Sequence, residues 1–160
     1  NGGFMTQRML IEKTHLFKAG VSVTAHISKN VLMNSTPTKP ISVAFMSGTE
    51  DPLVPYEGGF VVDGEEVLGA EDSTRRWVEW NECNKDAKVE TINKERDETS
   101  LEIYTYKGCK ENVEVKLYKL IGAGHMWPGT KQKIPFINLG KETQELNASE
   151  EVWKIFKSHL

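Results

Sequence analysis

His125 stands where a chain would place a proton-transfer group. The apolar-alternating run Val113–Ile121 stops at three small residues, Gly122-Ala123-Gly124, and then presents His125, Met126, Trp127 and a Pro128-Gly129 turn. Such an order is how a buried strand ends by offering one imidazole at the edge of a sheet. Small neighbours let the backbone turn sharply and let a ligand approach closely. A neutral imidazole takes up a proton near pH 7 and returns it, so a histidine fixed there can act as a general base. A structural or surface histidine in a strand-to-loop turn is the competing reading of this stretch alone. A second chemical group follows another short apolar run. Ile41–Met46 breaks at Ser47-Gly48-Thr49-Glu50-Asp51-Pro52, and Asp51, preceding a proline, is biased towards extended geometry.

An acid and a histidine in that chain order have a specific use. A hydroxyl nucleophile needs a base, and the base needs an acid to fix its tautomer and stabilise the imidazolium. In α/β-hydrolases the order is Ser, then Asp or Glu, then His, with the serine on a G-x-S-x-G strand-to-helix elbow. Asp51 and His125 hold the last two places. Asn1-Gly2-Gly3, followed by the helix-forming stretch Phe4–Lys13, looks like the downstream half of such an elbow.

The elements that must position these groups alternate. Val21–Ile27 is rich in β-branched residues and reads as a buried strand, and Ile41–Met46 as a second. Asn30–Pro40 reads as a polar loop. Ala70–Cys83 reads as a helix, with Glu71 and Asp72 in a first turn where the dipole favours acids. Lys85–Thr99 is strongly charged and reads as solvent-facing. Leu101–Tyr106 and Val113–Ile121 alternate and are separated by Lys107–Asn112, which predicts a hairpin. Thr130–Glu145 reads as mostly irregular. Asn147 and Glu150 have capping-box spacing ahead of an apolar helical face made by Val152, Trp153, Ile155 and Phe156. Strands alternating with helices predict an α/β fold with parallel strands, where chemistry gathers at the carboxyl ends.

Composition narrows the function classes. The 160 residues match one ordinary domain, 38% hydrophobic content supplies a core, and a net charge of −3 leaves no basic stripe for nucleic acid. No apolar run approaches the ~20 residues of a membrane span. His15, His26 and His159 are scattered without paired acids, so they read as core or surface histidines, and no metal site or cofactor is indicated. Cys83 and Cys109 follow no zinc-ligand spacing. They are either two free thiols or a bridge of an oxidising compartment.

Four stretches carry a resemblance to a known family. Asn1-Gly2-Gly3-Phe4-Met5 resembles an S-N-G-G-M elbow minus its serine. Gly48 to Gly59 resembles a G-T-x-D-P-x-V-P-Y-x-G-G acid loop. Gly122 to Gly129 resembles a G-G-G-H-x-W-P-G histidine loop, with Ala123 where glycine is usual. Trp77–Cys83 and Tyr106–Cys109 resemble W-x-x-x-N-x-C and Y-x-G-C segments whose cysteines often pair in secreted members. The chain thus resembles the C-terminal half of the polyhydroxybutyrate depolymerase-like esterases of the α/β-hydrolase superfamily, a group that includes feruloyl and acetylxylan esterases.

That resemblance implies a partial α/β-hydrolase domain over 1–160, starting just after the nucleophile serine. It holds the last three parallel strands with flanking helices and an added hairpin strand. His125 is then the base, Asp51 its orienting acid, and the backbone N–H of Asn1 an oxyanion-hole donor. Trp127 and Tyr56 are candidate substrate contacts, and Cys83 pairs with Cys109. It further implies a secreted or periplasmic esterase acting on a polyester or a plant cell-wall ester, without nucleic-acid or membrane partners. The 160 residues alone are expected to be inactive. The outer edge of the Val21–Ile27 strand is expected to pair with the missing N-terminal half or with a second copy. A non-catalytic binding fragment that keeps the scaffold is the alternative.

Overall fold

The central strand of the sheet is buried on both faces, and that fixes the layout around it. In the computed structural model, which describes residues 1–95, 98–131 and 135–159, β2 spans Ser42–Gly48 with every residue buried. Its side chains alternate between two cores. Val43 and Phe45 join Leu10, Ile11, Trp77 and Val78 on one face, while Ala44 and Met46 join Leu101, Leu120, Leu146 and Ile155 on the other. A strand covered on both sides reads as a continuous apolar run, and this one does.

Around it the chain runs α1 (Gly2–Glu12), a short turn of 3₁₀ helix (Thr14–Leu16), β1 (Ala19–Val23), α2 (Lys29–Asn34), β2, and a small hairpin of β3 (Gly58–Phe60) and β4 (Glu66–Leu68). Then come α3 (Ala70–Trp80), β5 (Lys88–Ile92), β6 (Ser100–Tyr106), β7 (Val115–Ile121) and α4 (Ala148–Lys157). The five-stranded sheet has the order β1-β2-β7-β6-β5. β1 pairs with β2 and β2 with β7 in parallel, and β6 and β5 follow antiparallel. It is a mixed sheet flanked by helices, an α/β architecture.

Two side chains pin the crossover helix to the sheet. Asn81, just past α3 and fully buried, accepts from the Ile41 amide at 3.2 Å and donates to the Ile41 carbonyl at 2.7 Å. Trp77, also fully buried, donates its indole N–H to Gln7 Oε1 of α1 at 2.9 Å, so α1 and α3 are joined across the core. Cys83 and Cys109 form a disulfide that ties the exit of α3 to the β6–β7 connection. Closing a loop of 26 residues stabilises the fold by roughly 3 kcal/mol in the chain-entropy account.

Three expectations are corrected. The strand expected at Val21–Ile27 lies at Ala19–Val23, because the chain leaves the sheet at Thr24 with φ of 51°. The polar loop expected at Asn30–Pro40 begins inside α2, whose first turn is capped by Ser28 Oγ accepting from the Val31 amide at 3.3 Å. The charged Lys85–Thr99 stretch is mostly exposed among its described residues, apart from buried Thr99, but contains β5, so two antiparallel strands are added to the parallel ones rather than one. β5 has no buried face, with Lys88 to Thr91 all exposed, and only its backbone pairing to β6 makes it a strand. Thr130–Glu145 forms no helix or strand among its described residues.

Candidate active site

β2 and β7 are adjacent and parallel, so the loops leaving their carboxyl ends lie side by side. The two loops are then laced together. The Thr49 amide donates to Leu120 O at 3.0 Å, the Glu50 amide to Ala123 O at 3.0 Å, and the Gly122 amide to Thr49 Oγ1 at 2.9 Å. Such closeness requires glycine at Gly48, where a Cβ would fall 2.2 Å from the Ala123 carbonyl oxygen.

Asp51 is held before it meets its partner. Its Oδ1 accepts from the Leu53 and Val54 amides, each at 2.8 Å, closing a turn that Pro52 helps to set. Oδ2 is left to face His125 Nδ1 at 2.8 Å. The carboxylate side chain is only 2% exposed, whereas the imidazole is 27% exposed. His125 is fixed through its backbone, with its amide donating to Leu139 O at 2.6 Å and the Gly124 amide to Lys141 O at 2.8 Å. With Nδ1–H donating to an acceptor-only carboxylate, the lone pair is assigned to Nε2. Thr24 Oγ1 lies 3.5 Å from that nitrogen.

A cleft of about 320 Å³ opens beside the ring, lined by Asn1, Gly2, Gly3, Thr24, His125 and Trp127 among others. The start of α1 forms one wall. Amides of a helix's first turn lack intrahelical acceptors and carry the positive end of its dipole, so this wall favours developing negative charge.

Of the other sequence-derived candidates, Asn1 and Trp127 lie at this cleft and Tyr56 does not. Trp127 is 39% exposed and is steadied by its indole N–H donating to Ser149 Oγ at 3.1 Å. Tyr56 is buried in the core, where its hydroxyl donates to Glu71 Oε1 at 3.2 Å and Lys119 Nζ sits 5.3 Å from its ring. Burial, with the Glu71 charge, pushes that hydroxyl well above the usual tyrosine range. Tyr56, five residues after Asp51 in the loop that resembles an acid loop, thus packs in the core and does not line the cleft. Thr24 is the residue that sequence reasoning missed. Nothing in a β-branched run marks where the strand stops.

His26 is the core histidine anticipated from its isolation. It is fully buried with Nε2 at 3.1 Å from Ser47 Oγ. Burial lowers its pKa from 6.5 to about 4, against the pull of the Asp51 carboxylate and the Leu68 backbone. The folded value lies below the unfolded one, so between these two pH values the unfolded chain binds a proton that the folded chain refuses. Stability is therefore undiminished above pH 6.5 and falls as pH drops towards about 4, by about 3 kcal/mol in total. Urea unfolding across that range should show this slope, and His26→Gln should lose it; an identical slope in the variant would refute the assignment.

No protein-family model matches the chain. It is 30% identical over 93 residues to a feruloyl esterase B of Piromyces equi, a match covering 56% of this chain and 16% of that protein. The relationship is esterase-like, and the chain spans far less than the full length of that relative. Among the described residues no helix is long and apolar enough to cross a membrane, and no three His, Cys, Asp or Glu side chains gather as a metal-binding group.

Proposed function

We propose that these residues supply the acid and base of a serine-hydrolase-type carboxylic ester hydrolase. The observation that carries this reading is the Asp51–His125 pair at 2.8 Å, with the opposite ring nitrogen turned to a cleft. In the whole protein a serine directly before Asn1 attacks the ester carbonyl and passes its proton to His125 Nε2. The tetrahedral oxyanion is held by amides at the start of α1, that of Asn1 first among them. As it collapses, His125 returns the proton to the leaving alcohol, and a water activated by the same nitrogen then releases the acid. Asp51 keeps the ring in its working tautomer throughout. Trp127 walls the acyl side of the cleft.

The match to a feruloyl esterase favours a feruloyl ester over a hydroxyalkanoate polyester as substrate. The disulfide supports a secreted or periplasmic location. β1 ends the described sheet with no strand on its outer side, beside an apolar groove lined by Met5, Met9, Phe17, Val21 and Phe156. That edge is the seat we assign to the strand leading into the serine.

The test is hydrolysis of methyl ferulate and p-nitrophenyl acetate by the whole protein, with a fluorophosphonate probe to trap the nucleophile. Turnover is expected, with the probe on a serine adjacent to Asn1, and both should vanish in His125→Ala. A probe adduct within residues 1–160, or turnover indifferent to His125→Ala, would overturn the proposal. Absence of any turnover would favour a non-catalytic scaffold.

A further inference from the structure

The residue just past β1 is in an expensive conformation. Thr24 has φ of 51°, a left-handed geometry that β-branched side chains avoid. A residue held there is strained, and the strain persists only where the surroundings impose it. Here they do, because the Thr24 amide extends the β1–β2 ladder by one bond, donating to Met46 O at 2.9 Å. Glycine would occupy the same backbone without strain. A threonine instead places a hydroxyl in the cleft, with Oγ1 3.5 Å from His125 Nε2.

We infer that Thr24 is a positioning residue for His125, tethering the imidazole at the nitrogen that Asp51 does not hold. This rests on the acid–base reading given above. While Nε2 carries a lone pair, the Thr24 hydroxyl donates to it. When Nε2 has taken the nucleophile's proton, the same oxygen turns and accepts from Nε2–H, since a hydroxyl has one donor and two acceptor sites. The ring is thus restrained in both protonation states without a competing charge. At 3.5 Å the contact is at the outer limit of a hydrogen bond. Such a loose partner yields the space in front of Nε2 to the reacting hydroxyl and takes the ring back afterwards. A valine of the same shape keeps the packing and loses both functions.

In the whole protein, Thr24→Val should lower kcat on methyl ferulate about threefold to fivefold, less than a short, well-aligned hydrogen bond would give. KM should move by no more than about twofold, because ring placement matters to proton transfer rather than to ground-state binding. Thr24→Ser should restore kcat to near the starting value. Thr24→Gly should lose activity as valine does yet melt within about 2 °C of the starting protein, since the relieved strain offsets the freer unfolded chain. A residue with a merely structural role would lose stability and activity together. Independently of turnover, the ¹⁵N resonance of His125 Nε2 should move downfield in Thr24→Val towards that of an imine nitrogen without a hydrogen bond. An unmoved resonance, or unchanged kcat in Thr24→Val of an active protein, overturns the inference. A moved resonance in a protein that turns over no ester supports the contact and overturns the esterase reading instead.

Discussion

Asp51→Asn should lower kcat for ester hydrolysis about 10⁴-fold while leaving the fold in place. The size follows from which oxygen does what. The Leu53 and Val54 amides both donate to Oδ1, and an asparagine carbonyl can keep both bonds. The amide nitrogen must then face His125 Nδ1, where Oδ2 now accepts. A donor at that place forces Nδ1 to become the acceptor and moves the ring proton to Nε2, so the nitrogen at the cleft ceases to be a base. The acid loop should lose only about 1 kcal/mol, because neutral acceptors replace charged ones on two amides. Kinetics on methyl ferulate together with thermal melting separate the two effects. A kcat within tenfold of the starting protein would show that the pair is structural. Glu50→Gln is the control, since it is the Asp51 carboxylate, not its neighbour, that meets the ring, and the rate should stay unchanged.

Trp77→Ala should destabilise the protein by about 4 kcal/mol, in the middle of the range for aromatic-to-alanine substitutions in cores. The indole is fully buried between α3 and the sheet, in the same core as Leu10, Ile11 and Phe45. Its removal opens a cavity and also strands Gln7 Oε1, a buried acceptor whose partner is the Trp77 N–H. Such a loss is a large fraction of the roughly 5–15 kcal/mol that holds an ordinary domain together. Chemical denaturation should show it as a lower midpoint with little change in slope. Trp77→Phe should recover most of the packing and leave the Gln7 penalty in place. Trp153→Ala, on a side chain 58% exposed on α4, should change stability by no more than about 0.5 kcal/mol. Equal effects at Trp77 and Trp153 would mean the core is not organised around the buried indole.

What could be read from the chain followed from how many neighbours each signal needs. β2 and β7 announce themselves because their apolar side chains face two cores, and α4 does because Asn147 caps it through the Glu150 amide at 3.2 Å. Asp51 and His125 are legible for a related reason. Each sits where an apolar run breaks, and a parallel sheet brings such breaks to one edge. β5 is the opposite case. Lys88-Val89-Glu90-Thr91-Ile92 buries almost nothing, so its strand character belongs to β6 as much as to itself. Tyr56 and Thr24 mark the limits of spacing arguments. Tyr56 follows Asp51 closely along the acid loop, yet by that point the chain has already turned into the core. Thr24 is an ordinary strand residue until the backbone rotates and aims its hydroxyl at the histidine.

The sulfur–sulfur bond between Cys83 and Cys109 spans everything from the end of α3 to the β6–β7 connection. All of β5 and β6, and the charged segment between them, lie inside that ring. A nick anywhere between residues 84 and 108 therefore opens a loop without severing the molecule, and the two pieces travel as one until a reductant separates them. Asp51 lies on one side of the ring and His125 on the other, so after such a cut the pair would still belong to one covalent body.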